Sequence, residues 1–242
     1  MCFTVNVNLV KEEIENRYGI SFPGKYRYEP SYYYHAYGLP ELPAVCPGKP
    51  PVIRFLKWGL IPSWVKTDSD AGEIRLKTLN ARAESLEAKP SYSSSLATRR
   101  CIIPVRGFYE WQHTGTGKIP WYIYHYSNDI LSLAGLFSEW TETSTGGVLN
   151  TFTIITTDAN KMMAEIHNSK KRMPAILTRE NEMKWLDISV PVTDALKILR
   201  PSSEDLLKAH TISPLISSRD ADRNTPELIK PYNYQRDNLL PF

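Results

Sequence analysis

A cysteine stands at position 2, directly after Met1. Its side chain is small, so removal of Met1 is expected, and removal leaves a thiol and an α-amine on adjacent carbons. With reference pKa values of about 7.7–8.0 for the amine and about 8.5 for the thiol, both have a reactive minority near neutral pH. Such a pair condenses with an aldehyde: the amine forms a Schiff base and the thiolate closes a five-membered thiazolidine ring. Three other polar clusters carry groups suited to that chemistry. Asn80 and Arg82 lie two residues apart in Leu79-Asn-Ala-Arg-Ala-Glu84. In extended chain they share a face, placing an amide beside a guanidinium fork that suits phosphate. Glu110 lies among aromatic residues in Arg106-Gly-Phe-Tyr-Glu-Trp111, and a carboxyl in an apolar setting has a raised pKa and acts as acid or base near neutrality. His167 opens the run His167-Asn-Ser-Lys-Lys-Arg-Met-Pro174, an imidazole able to shuttle protons followed by a basic triplet able to hold phosphate.

Each group also has a plainer role. A free cysteine is most often a small buried hydrophobe. Asn80 suits a helix N-cap, with Arg82 and Glu84 as surface charges. Glu110 fits the solvent side of an amphipathic strand, and His167 a helix C-terminus whose carbonyls it satisfies. The functional reading requires a fold that brings the four together.

The alternation of Phe3–Val7 predicts a strand that anchors Cys2. Lys11–Tyr18 reads as a helix, Phe22–Pro51 as irregular chain rich in Pro and Tyr, and Val52–Trp58 as a strand. Helices are expected over Ser69–Lys77, whose charges follow the helix dipole, and over Ala83–Ala88. From Arg100 the pattern turns to sheet: Cys101–Val105, Gly107–Gln112, Trp121–Tyr126, Ile130–Phe137 and Asn150–Thr157, with a hairpin loop at His113–Lys118. Gly107 marks a bulge or a close backbone approach. Ala159–Ile166 and Glu180–Leu186 read as helices around a strand at Ala175–Leu177. A short helix at Ser203–Lys208 and an extended His210–Ile216 precede a polar tail, Ser218–Phe242, expected to wrap the surface. With no repeat and no composition break, the chain reads as one α+β domain over residues 1–242.

Composition narrows the function classes. Apolar residues make up 42% of the 242 residues, enough for a globular core. The 14 Tyr and 6 Trp suit stacking as well as packing. A net charge of +3 neither demands nor excludes nucleic acid, since a groove needs local charge. Cys2, Cys46 and Cys101 have no metal-ligand spacing and form no even disulfide framework, so a reducing, cytoplasmic setting without bound metal is expected. Met1–Val10 lacks the features of a signal peptide, and no apolar run approaches the roughly 20 residues of a membrane span.

The blocks Met1-Cys2, Trp58-Gly-Leu-Ile-Pro-Ser-Trp64, Asn80-Ala-Arg-Ala-Glu84, Gly107-Phe-Tyr-Glu-Trp111, His167 with Arg172-Met-Pro174, and Pro226-Glu-Leu-Ile229, in this order, resemble the SRAP (SOS-response-associated peptidase-like) family. The resemblance runs over most of the chain. It implies an α+β fold around a bifurcated, barrel-like mixed sheet with flanking helices. It implies a monomeric, cofactor-free protein of the DNA damage response that binds single-stranded DNA containing abasic sites. Cys2, freed of Met1, is then the crosslinking nucleophile on the ring-opened sugar aldehyde. Asn80 orients the terminus and sugar, Glu110 shuttles protons, and His167 acts on the sugar oxygen and assists reversal or a Schiff-base lyase step. Arg82, Lys171 and Arg172 hold phosphates, and Trp58 and Trp64 stack bases. The chain departs from the family pattern at three places. Cys2-Phe3-Thr4-Val5 replaces Cys-Gly-Arg-Phe, which removes an arginine. Tyr32-Tyr-Tyr-His-Ala36 blurs a Tyr-Asn-x-x-Pro segment. Three extra residues separate His167 from Arg172.

Two other classes compete. A thiol peptidase would use Cys2 with Glu110 and His167, most simply in one self-processing cut at Met1. A non-covalent reader of single-stranded nucleic acid would keep all its activity in Cys2→Ser.

Overall fold

The computed structural model describes residues 2–24 and 27–234. The expectations for Met1 and for the end of the tail, 235–242, lie outside the described residues. In chain order the strands and helices are β1 (Thr4–Val7), α1 (Lys11–Tyr18), β2 (Ser31–His35), β3 (Glu41–Cys46), β4 (Val52–Trp58), α2 (Asp68–Lys77), β5 (Asn80–Arg82), α3 (Ser93–Thr98), β6 (Arg100–Val105) and β7 (Gly107–His113). There follow β8 (Lys118–His125), β9 (Leu131–Thr141), β10 (Val148–Asp158), α4 (Lys161–Ile166), β11 (Arg172–Pro174), β12 (Ile176–Leu177), α5 (Arg179–Leu186), α6 (Val192–Ile198) and β13 (Leu207–Thr211). The α+β class and the bifurcated barrel are as expected.

Strands β4, β3, β6, β9 and β10 close on themselves, every pairing antiparallel except the parallel β10–β4. β9 and β10 pair from Val148↔Thr141 as far as Ile154↔Gly135 and then part. The segment from Arg172 to Leu177 fills the fork, β11 on the end of β10 and β12 on β9. Glycine is required at 135: a Cβ there would lie 2.9 Å from the Thr153 carbonyl and 3.0 Å from Cys101 Sγ. β5 takes the other side of β10, in register Ile154↔Asn80 and Thr156↔Arg82.

A second sheet, β13-β8-β7-β1-β2, is antiparallel throughout. In its register Thr4 opposes Tyr109 and Glu110 opposes Trp121, so the strand that begins after Cys2 lies beside the strand that carries Glu110. Because side chains alternate along β7, Phe108 packs into the main core while Tyr109 joins Tyr122, Ile212, Ile216 and Leu228 in a second cluster. The segment around Leu228 and Ile229 thus covers the outer face of this sheet. Gly107 is the predicted close approach, since a Cβ there would come within 2.5 Å of the Ile123 carbonyl.

Three expectations fail for identifiable reasons. The stretch 22–51, expected irregular, contains β2 and β3. Pro43 sits mid-strand in β3 opposite Phe55, and it is tolerated because β3 meets β6 only around Val45↔Ile102. The helix expected over Ala83–Ala88 is a single 3-10 turn, Ala83–Ser85, because Asn80–Arg82 before it is drawn into the sheet by β10. The Ser203–Lys208 helix is likewise one 3-10 turn, Glu204–Leu206, after which Leu207–Thr211 pairs with β8. In both places tertiary pairing overrides local propensity.

Candidate active site

Cys2 is fully buried where the chain enters β1. Burial pushes its thiol well above the ordinary value, and the nearby Glu110 carboxylate adds to the shift. Glu110 is itself buried, at 4% exposure, and burial raises its carboxyl to about 7. His167 caps the C-terminal end of α4, and its Nε2 lies 3.9 Å from Glu110 Oε2. Its Nδ1 is 2.9 Å from the Arg172 carbonyl. The Arg172 N–H also approaches Nδ1, at 3.3 Å; with the shorter carbonyl contact read as N–H···O, the proton sits on Nδ1 and Nε2 is the nitrogen toward Glu110. Burial lowers the His167 pKa, so the ring is neutral at pH 7. Glu110 thus stands between a buried thiol that it influences electrostatically and a neutral imidazole 3.9 Å away.

The three extra residues after His167 are absorbed locally. The Lys171 N–H donates to the His167 carbonyl, Lys171 takes a left-handed φ of 49°, and the chain returns with Arg172 against the imidazole. Asn168 ties the loop to β7, accepting from the His113 N–H and donating to the His113 carbonyl.

Arg172 corrects an expectation. Its guanidinium makes a bidentate pair with Glu84 at 2.9 and 2.8 Å, reaches Asp158 Oδ1 at 2.7 Å and donates to the Thr156 carbonyl at 2.8 Å. A buried fork already engaged on three sides fastens the β5–β10–β11 junction and holds its backbone carbonyl on His167, rather than facing a phosphate. Trp58 is a second correction. It is fully buried, stacks on Phe152 at 5.5 Å and donates from Nε1 to the Leu79 carbonyl at 2.7 Å. Its ring positions the strand entering Asn80 and does not meet a base. The partners Glu84 and Asp158 carried no role in the sequence reading, although Glu84 stood inside a quoted motif.

Asn80 is half-buried on β5, and both polar atoms of its amide are buried without a hydrogen-bond partner among the described residues. An orphaned amide costs stability unless something else completes it. Arg82, two residues on, is exposed, as is Lys171. Trp64 is 53% exposed, fixed by an Nε1 bond to the Pro90 carbonyl, and lines a cleft of about 510 Å³ with Lys66 and Lys77. At the N-terminal departure, the Thr4 hydroxyl pairs with His35 Nδ1 at 3.0 Å. A cation reaches this neighbourhood from elsewhere: Arg223 lies 4.2 Å over the ring of Tyr33, which stacks on His35 at 6.2 Å. Among the described residues no group of His, Cys, Asp and Glu is arranged to hold a metal, and no helix is long and apolar enough to cross a membrane.

The fold thus joins a closed mixed barrel to a second sheet whose first strand follows the buried Cys2 and whose neighbouring strand carries a buried carboxyl beside an imidazole. The chain belongs to the SOS response associated peptidase (SRAP) family, whose sequence model matches residues 1–219. It is similar to the abasic site processing protein YoqW of Bacillus subtilis, 43% identical over 177 residues, covering 72% of this chain and 75% of YoqW. It is also similar to the abasic site processing protein HMCES of Gallus gallus, 36% identical over 201 residues, covering 74% of this chain and 57% of HMCES. A crystal structure of a Bacteroides thetaiotaomicron protein superposes with a TM-score of 0.90 at 34% identity, covering 96% of this chain and all of that one. A Bordetella bronchiseptica structure shares the fold, with a TM-score of 0.74 at 22% identity, covering 88% of this chain and all of that one.

Proposed function

We propose that this protein processes abasic sites in single-stranded DNA by capturing them covalently through Cys2 once Met1 is removed. The observation that carries the reading is the enclosure of Cys2 with Glu110 and His167, a nucleophile beside a carboxyl near pKa 7. The relatives named for abasic-site processing support the substrate class.

The Cys2 amine adds to the sugar aldehyde, and the resulting carbinolamine loses water to give the Schiff base. Protonated Glu110 donates to the departing hydroxide. The carboxylate so formed takes the thiol proton, and the sulfur closes on the same carbon, giving a thiazolidine with one water released overall. A carboxyl poised near neutrality serves both directions. His167 accepts and returns the proton at Nε2. From the Schiff base it also assists loss of the proton next to the imine carbon, the first step of a lyase cut that expels the 3′ phosphate. The orphaned Asn80 amide receives the sugar, and Arg82 and Lys171 receive phosphates. The same thiol, carboxyl and imidazole support a single self-processing cut at Met1.

The test is the intact mass of the protein before and after incubation with a single-stranded oligonucleotide carrying one abasic site. The expected result is a starting mass lacking Met1 and a denaturation-resistant adduct, smaller than the sum of the parts by one water, that is lost in Cys2→Ser. No adduct from protein shown to begin at Cys2 overturns the reading.

A further inference from the structure

The sheet face that carries Glu110 continues into a cleft that the chemistry above does not use. Glu110 opposes Trp121, and Trp121 opposes Thr211 on the next strand. Gln112, two residues beyond Glu110, opposes Ile119. Side chains directly opposed in antiparallel strands, and those two apart on one strand, share a face. Gln112, Ile119, Trp121 and Thr211 therefore floor a continuation of the face that carries Glu110. They line a cleft of about 460 Å³, within the roughly 300–1,000 Å³ range of small-molecule sites.

Its far wall comes from the segment after residue 219, where the family match ends. Tyr232 exchanges two hydrogen bonds with Thr211, from its N–H to the Thr211 carbonyl at 2.9 Å and from Thr211 Oγ1 to its carbonyl at 2.7 Å. The Tyr234 hydroxyl donates to the Ile212 carbonyl at 2.9 Å, and the two tyrosine rings meet edge-to-face at 4.8 Å. The floor is equally fixed. Trp121 Nε1 donates to Gln112 Oε1 at 3.3 Å, and Gln112 Nε2 donates to the Glu165 carbonyl in α4 at 3.2 Å. Each end of the Gln112 amide keeps capacity for one further hydrogen bond. Positive charge stands at the hairpin end: Lys118 opposes His113, and Asn168 ties His113 to the loop that bears Lys170 and Lys171.

We infer that this cleft is a nucleobase-stacking subsite, taking a base of the single strand that neighbours the abasic sugar held at Glu110. The inference rests on the reading that the substrate is single-stranded DNA. The aromatic walls offer π-faces to any base, Gln112 offers a donor and an acceptor to its edge, and the lysines receive the phosphates on either side. Continuity with the Glu110 face makes the occupant part of the same strand, and the preformed walls remove the ordering cost of building a site on binding.

The test measures equilibrium binding of two oligonucleotides that cannot crosslink. Both carry a tetrahydrofuran abasic analogue; one has ordinary thymidine flanks, and the other has base-free sugar–phosphate flanks. The expected result is that Tyr234→Ala weakens the first roughly tenfold, as loss of one stacking contact does, and leaves the second unchanged, with Tyr232→Ala acting likewise. Equal losses on both probes, expected if the cleft seats a segment of this chain or if the variant is simply damaged, overturn the subsite, as does no loss on either. Because no aldehyde is present, failure of covalent capture leaves this readout intact. Failure of the unaltered protein to bind either probe overturns both readings.

Discussion

Two glutamates are buried in this protein to nearly the same degree, Glu110 at 4% and Glu182 at 3% exposure, and they are surrounded in opposite ways. Glu182, on α5, receives Arg17 of α1 at 2.5 Å and the Ser132 hydroxyl of β9 at 2.6 Å, and Ser132 is in turn bonded to Tyr18 at 2.7 Å. It is a carboxylate clamped by a cation and a hydroxyl, and it fastens two helices to the barrel. Glu110 sits beside a neutral imidazole at 3.9 Å and a buried thiol. For both residues burial is the largest influence and acts upward; at Glu182 the Ser132 hydroxyl and the Arg17 guanidinium work against it, whereas at Glu110 the opposition includes a backbone hydrogen bond from Trp111 and, among the described residues, no arginine or lysine side chain. The comparison separates a carboxyl matched by a fixed charge, which serves architecture, from one set beside an imidazole and a thiol, which on the proposed function serves proton transfer.

Glu110→Gln should have the largest effect and splits activity from stability. Loss of a general acid–base group slows crosslinking about 10²–10⁴-fold, measured as the single-turnover rate of adduct formation. Stability moves the other way. The folded pKa of about 7 lies above the unfolded value, so between about pH 4.5 and 7 the unfolded chain binds fewer protons and stability falls as pH rises. At about 1.4 kcal/mol per unit, the full penalty above pH 7 is about 3 kcal/mol. Glutamine carries no such penalty. The histidines His35, His125 and His167, whose pKa values burial lowers, act the other way in both proteins, so denaturant titrations at pH 5 and pH 8 should show the stability of wild type relative to the variant falling across this window. A wild-type-to-variant difference that is the same at both pH values refutes the elevated carboxyl.

Glu182→Gln should give the mirror image. It leaves the buried Arg17 cation without its counter-charge, a loss of about 3 kcal/mol and roughly 6–12 °C in Tm for a chain of this size. The crosslinking rate of the folded fraction should not change. If the rate falls at conditions where the variant is fully folded, the division between the two carboxyls is wrong.

The sequence announced Glu110 more clearly than its surroundings. Apolar neighbours on a strand-like run imply burial, and a buried carboxyl without an adjacent cation in sequence implies a raised pKa. Both are local signals. So are the limits of α1 and β4, which the structure reproduces residue for residue. What failed was non-local. Asn80–Arg82 reads as a helix start because nothing nearby shows that β10 takes it as a parallel neighbour. Pro43 argues against a strand unless one knows that β3 has a full partner on one side only there. Trp58 and Arg172 looked like DNA contacts because aromatic and basic residues suit that role. Their burial is decided by Leu79, Phe152, Glu84 and Asp158, three of which lie more than 20 residues distant from the residue they hold, and only Leu79 and Glu84 stood in motifs that could have signalled it.

Arg172 and Arg82 extend the comparison from carboxyls to cations and give the smaller effects. Arg172 is buried and matched by Glu84 and Asp158, whereas Arg82 is exposed on the adjoining strand. Arg172→Gln removes a bidentate pair, but its carboxylate partners are 54% and 85% exposed and rehydrate, so the loss falls short of a fully buried pair, about 2 kcal/mol. The salt dependence of DNA binding should be unchanged. Arg82→Ala should leave stability within about 0.5 kcal/mol and lower the slope of log binding constant against log salt by about 0.7, the value of one phosphate contact on a single strand. Both slopes come from one titration series across salt concentrations. A reduced slope for Arg172→Gln with undiminished stability would make Arg172 a phosphate ligand after all and break the parallel with Glu182. An unchanged slope for Arg82→Ala would remove the strand from the β5 edge, and with it the reason for the orphaned Asn80 amide two residues away.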